Sequence, residues 1–191
     1  MASELRVDRI LPVDGASTGG GGGIVQVVTG VLSTHYTATG AAGDNYWLYP
    51  GLSATITPKK ATNNILIQVS MYIGHDSNGY QQEYQVMVND GSGNQAISGI
   101  IGTGGPYGVT GRINMYSEDA GGYTMYTMHT LGGQHMHKNI QSTNALTYKV
   151  RLKGYSSQAT VYVNRSRATQ SSGTNYDGCP QSTITLMEVC A

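Results

Sequence analysis

Two histidines one residue apart, His135 and His137 in GGQHMHKN, and three cations at alternate positions, Lys149, Arg151 and Lys153, are the residues whose type and spacing could do chemistry. On a strand, side chains two apart share a face. Two imidazoles on one face are two metal ligands. Three copies meeting on an axis would present six, enough for octahedral coordination of a transition metal. The plainer reading puts both histidines in an exposed, polar, Gly-rich loop. The three cations are followed by Arg165 and Arg167, with no acid among the five. They could form a basic stripe for an anionic surface glycan or a neighbouring protein, or simply the solvated face of a hairpin.

Catalysis finds little support. The chain has no Gly-x-Ser-x-Gly elbow, no phosphate-binding loop and no His-Glu-x-x-His. Asn89-Asp90-Gly91-Ser92-Gly93-Asn94 offers oxygen ligands but lacks the length and the terminal Glu of a calcium loop, and reads as a turn. Ser117-Glu118-Asp119 puts two acids at adjacent positions, which face opposite ways on a strand and make a poor acid/base pair. Cys179, in Gly178-Cys179-Pro180, has no evident base beside it. With Cys190 it makes no disulfide framework, and both are expected as free thiols. The chain is expected to be no enzyme and to need no cofactor.

Aromatic residues are the other candidates. There are 14 tyrosines and no phenylalanine, and Tyr107, Tyr116, Tyr123 and Tyr126 fall among small polar residues. Tyrosine among Gly and Ser is a paratope-like composition. These four, with Trp47, could stack on sugar rings; they could equally fill a core or a subunit seam. Charged residues are 12% of the chain and sum to zero, which gives no electrostatic case for nucleic acid or an anionic membrane. No apolar run approaches the length of a membrane helix, so no insertion is expected, and the N-terminus has no apolar signal-peptide core.

The elements that would position these residues read as strands. Ile65, Ile67, Val69, Met71 and Ile73 alternate with Asn64, Gln68 and Ser70, with Leu66 and Tyr72 as exceptions. Tyr84, Val86 and Val88 run into an Asp90-Gly91 turn. Leu146, Tyr148, Val150 and Leu152 oppose Thr147 and the three cations, and Ala159, Val161 and Val163 follow a turn. Further strands are expected at 24–28, 53–57, 109–116, 123–130 and 183–190, with Gly-rich breaks at 102–108 and 120–122. About ten short strands with frequent turns predict an all-β fold, an antiparallel sandwich or barrel.

Five glycines, Gly19 to Gly23, separate a short N-terminal arm from this body. Such a run neither packs a core nor holds a helix. Residues 1–23 are therefore an arm and linker, and 24–191 the head. The arm's apolar residues Leu5, Val7, Ile10 and Leu11 are too few to fold alone, but they suit strand addition or groove insertion in a partner. At the other end, TITLMEVC carries apolar residues on both faces by its close. A strand wet on one side should alternate cleanly, so Ile184, Leu186, Met187 and Val189 are expected between the head's own core and a neighbouring subunit.

The opening SELRVDRILPVDG resembles N-terminal segments of tail-fibre and other virion appendage proteins of tailed bacteriophages. LSATITPKKATNNILIQVSMYI, ALTYKVRLKGYSSQATVYVN and the ending QSTITLMEV are similar to strand units of their globular domains. The likeness covers the arm and about half the body, in order; residues 91–144 fall outside it. It implies a jelly-roll-like β-sandwich akin to trimeric tumour-necrosis-factor-like heads. It also implies a homotrimer on the virion, assembled in the host cytoplasm and anchored to tail or capsid proteins by the arm. Trimeric phage fibres use His-x-His metal sites, in slender shafts rather than heads. The function implied is that of a tail-fibre or fibre-tip component contributing to host-surface recognition, through a glycan or a protein. Capsid decoration, as a head fibre, is the alternative, and a carbohydrate-binding lectin domain unrelated to phage is a further one.

Overall fold

The structure, a computed structural model, describes residues 23–39, 47–75, 80–91, 93–96, 111–115, 128–138, 140–154, 160–167 and 179–190. The arm residues Leu5, Val7, Ile10 and Leu11, the tyrosines Tyr107, Tyr116, Tyr123 and Tyr126, and Ser117-Glu118-Asp119 lie outside these residues.

The described residues form strands β1 (Ile24–Leu32), β2 (Tyr36–Thr39), β3 (Ser53–Ile56), β4 (Asn64–His75), β5 (Tyr80–Asn89), β6 (Asn94–Ala96), β7 (Gly111–Met115), β8 (Met128–His137), β9 (Leu146–Gly154), β10 (Thr160–Val163) and β11 (Ser182–Val189). Every pairing is antiparallel. One sheet runs β1-β11-β4-β8, with β10 and then β2 continuing beyond the far end of β4; the other runs β3-β9-β5-β7, with β6 beside β7 on the same edge of β5. Setting β2, β6 and β10 aside, the remaining eight strands in chain order lie as first-eighth-third-sixth and second-seventh-fourth-fifth. That is the winding of a jelly roll, and the expected all-β, jelly-roll-like antiparallel sandwich is the fold.

Alternation builds the core. Ile65, Ile67, Met71 and Ile73 of β4 and Ile184 and Leu186 of β11 face Val86 of β5 and Leu146, Tyr148, Val150 and Leu152 of β9, all buried. The exceptions Leu66 and Tyr72 are half-buried on the outer face. The Asp90-Gly91 turn is present, with Gly91 at φ +102° and its N–H donating to Asn89 Oδ1. Cys179 and Cys190 are free thiols.

Two sequence expectations are corrected. Of the strand expected at 123–130, residues 123–127 lie outside the described residues; β8 runs Met128–His137, so the Gly-rich GGQHMH is strand and not loop. Its glycines are there for space: a Cβ on Gly132 would lie 2.0 Å from the Val69 carbonyl oxygen, and one on Gly133 would lie 3.0 Å from the Tyr84 hydroxyl. The last strand does carry apolar residues on both faces, yet its burial alternates strictly. Ser182, Ile184, Leu186 and Glu188 point inward, and Thr183, Thr185, Met187 and Val189 outward. Ile184 and Leu186 have no exposed surface and so cannot contact another subunit, whereas Met187 and Val189 are half-exposed.

What disguised the alternation is Glu188, a carboxylate at an inward position with no exposed surface. Its oxygens accept from Asn63 Nδ2 at 2.7 Å, Gln26 Nε2 at 2.6 Å and the backbone N–H groups of Lys59 and Lys60 at 2.8 and 3.3 Å. Burial alone would raise its pKa, but these bonds favour the charged form and together hold it below the ordinary glutamate value. The carboxylate thereby ties the turn before β4 and strand β1 to the end of β11.

Candidate functional site

His135 and His137 share a face, as the spacing requires, and it is the inner one. They pair across to Ile67 and Ile65 of β4, both buried. His135 Nε2 lies 2.7 Å from the Tyr84 hydroxyl, and His137 Nδ1 lies 2.8 Å from the Tyr148 hydroxyl. Each ring meets its tyrosine edge-on, at centroid separations of 5.8 and 5.9 Å. Tyr84 is on β5 and Tyr148 on β9, so two hydrogen bonds join the sheets through the interior. Burial lowers the pKa of both imidazoles, raises Tyr84 to about 12 and raises Tyr148 further. At neutral pH these are uncharged pairs. The expectation of six imidazoles around an external axis meets rings turned toward their own chain's tyrosines. Among the described residues no three His, Cys, Asp or Glu come together as metal ligands.

The three cations of β9 share a face that is partly covered: Lys149 and Arg151 are half-buried, and Lys153 is buried together with Glu83, Gln85 and Met87 of β5. Lys149, Arg151 and Lys153 project from the outer face of β9, opposite in register to Met87, Gln85 and Glu83 of β5. Arg165 and Arg167 follow β10, in the other sheet, so the five cations do not form one stripe. Segment 47–52 continues β3 along β9: the Val150 N–H donates to the Leu52 carbonyl, and Leu48 and Leu152 exchange both backbone bonds. Between those contacts the chain bulges at Tyr49-Pro50-Gly51, with Gly51 at φ +95°, a conformation glycine adopts freely. The bulge throws Tyr49 outward, 47% exposed, beside Arg151.

Around Arg151 the side chains interlock. Its guanidinium carbon lies 4.1 Å from the centre of the Trp47 ring, and Lys153 Nζ lies 5.9 Å from the same ring. Arg151 donates from Nε to Gln85 Oε1 at 2.7 Å, from a terminal nitrogen to the same oxygen, and from the other to the Tyr49 hydroxyl at 3.4 Å. Next to this cluster opens a cleft of about 450 Å³ lined by Tyr49, Gly51, Leu52, Ser53, Lys149 and Val150. Sequence reasoning found the cations and Trp47 separately. It missed Tyr49 and Gln85, although Tyr-Pro-Gly is a turn signal that could have marked the bulge.

The outer face of the β1 sheet is different. Register places Val27, Met187, Leu66 and Met136 in one row across β1, β11, β4 and β8, followed by the row Thr29, Thr185, Gln68 and Gln134. Ile24, Val27 and Val31 of β1 are 60%, 54% and 55% exposed. The Thr183/Thr185, Gln68/Ser70 and Gln134 side chains line a shallow groove beside the apolar row.

The sequence matches no protein family and no curated protein. In three dimensions the chain is similar to structures of infectious bursal disease virus. For the Gx strain the identity is 12%, with 87% of this chain and 37% of that one covered and a TM-score of 0.44. For T=1 particles derived from the virus the values are 9%, 88%, 37% and 0.42, and for the VP2 subviral particle 12%, 87%, 38% and 0.39. The chain spans little more than a third of those proteins. Similarity at this level carries no assignment of activity or partner.

Proposed function

We propose that this chain is a non-enzymatic virion protein whose head self-associates as a homotrimer through the outer face of the β1 sheet, while residues 1–23 dock on another virion protein. The observation that carries the reading is the apolar row Val27–Met187–Leu66–Met136 beside the exposed Ile24 and Val31. Removing a Val- or Leu-sized side chain from water contributes about 1.5–3 kcal/mol, so a row of four per copy supplies a substantial drive to associate. Jelly rolls are an architecture of viral shells and lectins, which agrees with the sequence resemblance to phage appendages. A fibre-tip role is preferred to capsid decoration because the opposite sheet carries a second surface of different chemistry, around Arg151, for which a shell ornament has no need. Sedimentation of the full chain should give a trimer at micromolar concentration, and a stable monomer there overturns the reading. Electron microscopy of particles carrying a labelled copy then separates tail from capsid.

A further inference from the structure

We infer that the cleft beside the Tyr49 bulge binds an acidic polysaccharide, with a sugar ring against Tyr49 and its carboxylate or sulfate held by Arg151 and Lys149. The inference concerns the β9 face alone and does not depend on trimer formation or on a place in a virion.

Three features point to this ligand. The first is a pre-organised cation. Trp47 below, Gln85 on one edge and Tyr49 on the other hold the Arg151 guanidinium, and these bonds use three of its five N–H donors. Two remain for a ligand, on a group whose ordering entropy is already spent in the unbound protein. The planar fork matches a carboxylate or sulfate. The second is the exposed ring of Tyr49 at the cleft wall, a flat apolar surface of the kind that packs on the C–H face of a pyranose. The third is Lys149, which lines the same cleft two residues along β9 from Arg151 and supplies a second positive charge on the same face. Glu83 stands opposite Lys153 rather than opposite Arg151, so among the described residues the acid of this face lies at the end away from the cleft. A nucleic acid would ask for a longer basic track with several stacking aromatics, which a chain of zero net charge does not offer here.

The test is affinity electrophoresis of the full-length protein in gels containing alginate, a carboxylated polymer, or dextran sulfate, a sulfated one. Neutral dextran serves as the control, and single-stranded DNA competes. At least one acidic polymer should retard the protein, more weakly as salt rises from roughly 50 to 300 mM. Dextran should not retard it and DNA should not compete. Tyr49→Ala and Lys149→Gln, with unchanged melting temperature, should each weaken retardation at least about fivefold, and Arg151→Lys about tenfold, or roughly 1.4 kcal/mol. No retardation by either acidic polymer, equal retardation by dextran, preferential binding of DNA, or undiminished binding by folded Tyr49→Ala and Lys149→Gln would each overturn the inference. Sedimentation in the same buffer keeps the two readings apart: a monomer that still binds alginate retains this inference and removes the trimer.

Discussion

The outer faces of the two sheets are built on the same alternating pattern and carry opposite chemistry. On the β1-β11-β4-β8 face the outward positions are Val25, Val27, Thr29 and Val31, then Thr183, Thr185, Met187 and Val189, then Leu66, Gln68, Ser70 and Tyr72, then Thr130, Gln134 and Met136, with Gly132 between. None of these is charged. On the other face β9 carries the half-buried Lys149 and Arg151 and the buried Lys153, which stands opposite the buried Glu83 of β5. Both faces avoid a wholly apolar surface, one with hydroxyls and amides and the other with charge. The difference follows from desolvation. Threonine and glutamine lose little when a partner covers them, whereas an unpaired lysine in a covered face is costly, and interface cores are accordingly poor in charge. A face free of charge is suited to burial by a copy of itself. A face with clamped cations is suited to a ligand that brings the opposite charge.

Putting charge on the wrong face is the most direct way to break this contrast. Met187→Glu places a carboxylate in the middle of the apolar row and should convert the proposed trimer to monomer in sedimentation, while the matching charge change Lys149→Glu on the other face should leave that association intact. Equal effects of the two variants would remove the distinction between the faces. Val189→Asp, at the end of β11, should weaken association less than Met187→Glu, because it lies one row nearer the strand end.

The interior that joins the faces gives smaller, sharper tests. Glu188→Gln replaces an acceptor of four hydrogen bonds by a group that can accept with only one oxygen. Hydrogen bonds to a charged group contribute about 1.5–3 kcal/mol each, and a loss of stability of about that size should appear in urea denaturation. Because the folded carboxyl sits below its ordinary value of 4.5, its contribution is present above that pH and is lost as pH falls through the folded value. Glu188→Gln should therefore flatten the acid limb below about pH 4.5.

Tyr84→Phe and Tyr148→Phe each remove one hydrogen bond between the sheets and should cost about 1 kcal/mol, with no change in oligomeric state. The pH profile gives the smallest signal. Folded His135 and His137 bind protons more weakly than the unfolded chain, so stability should fall as pH drops below about 6.5. Calorimetric melting between pH 7.5 and 5 should show this slope, and a His135→Gln/His137→Gln double variant should lose it. At the other extreme, Tyr84 is raised, so its contribution is present below pH 10 and declines above it.

Much of this was legible in the chain. Period-two alternation identified β4, β5 and β9 and put Lys149, Arg151 and Lys153 on a common outer face, because a side chain's face on a strand depends only on parity. The same parity put His135 and His137 together but could not say which face was inward. That depended on β8 pairing with β4, where Gly132 alone leaves room for the Val69 carbonyl and Gly133 lies close against the Tyr84 hydroxyl. In one dimension the two glycines read as a loop. Glu188 misled in the opposite direction: an inward acid looked like the end of alternation, since nothing local announced that Asn63, Gln26 and two backbone N–H groups would converge on it.

The sequence by itself determined the class of fold, the parity of β4, β5 and β9 and the chemical character of the β9 stripe, because these rest on side-chain type and a repeat of two. Only the tertiary structure decided which residues share a site. Trp47 and Tyr49 reach Arg151 from about a hundred residues away, the histidines meet tyrosines of the opposite sheet, and Val27, Met187, Leu66 and Met136 become one row. Each of these contacts is set by jelly-roll winding and strand register, which are properties of long-range pairing, and no local pattern in the chain encodes them.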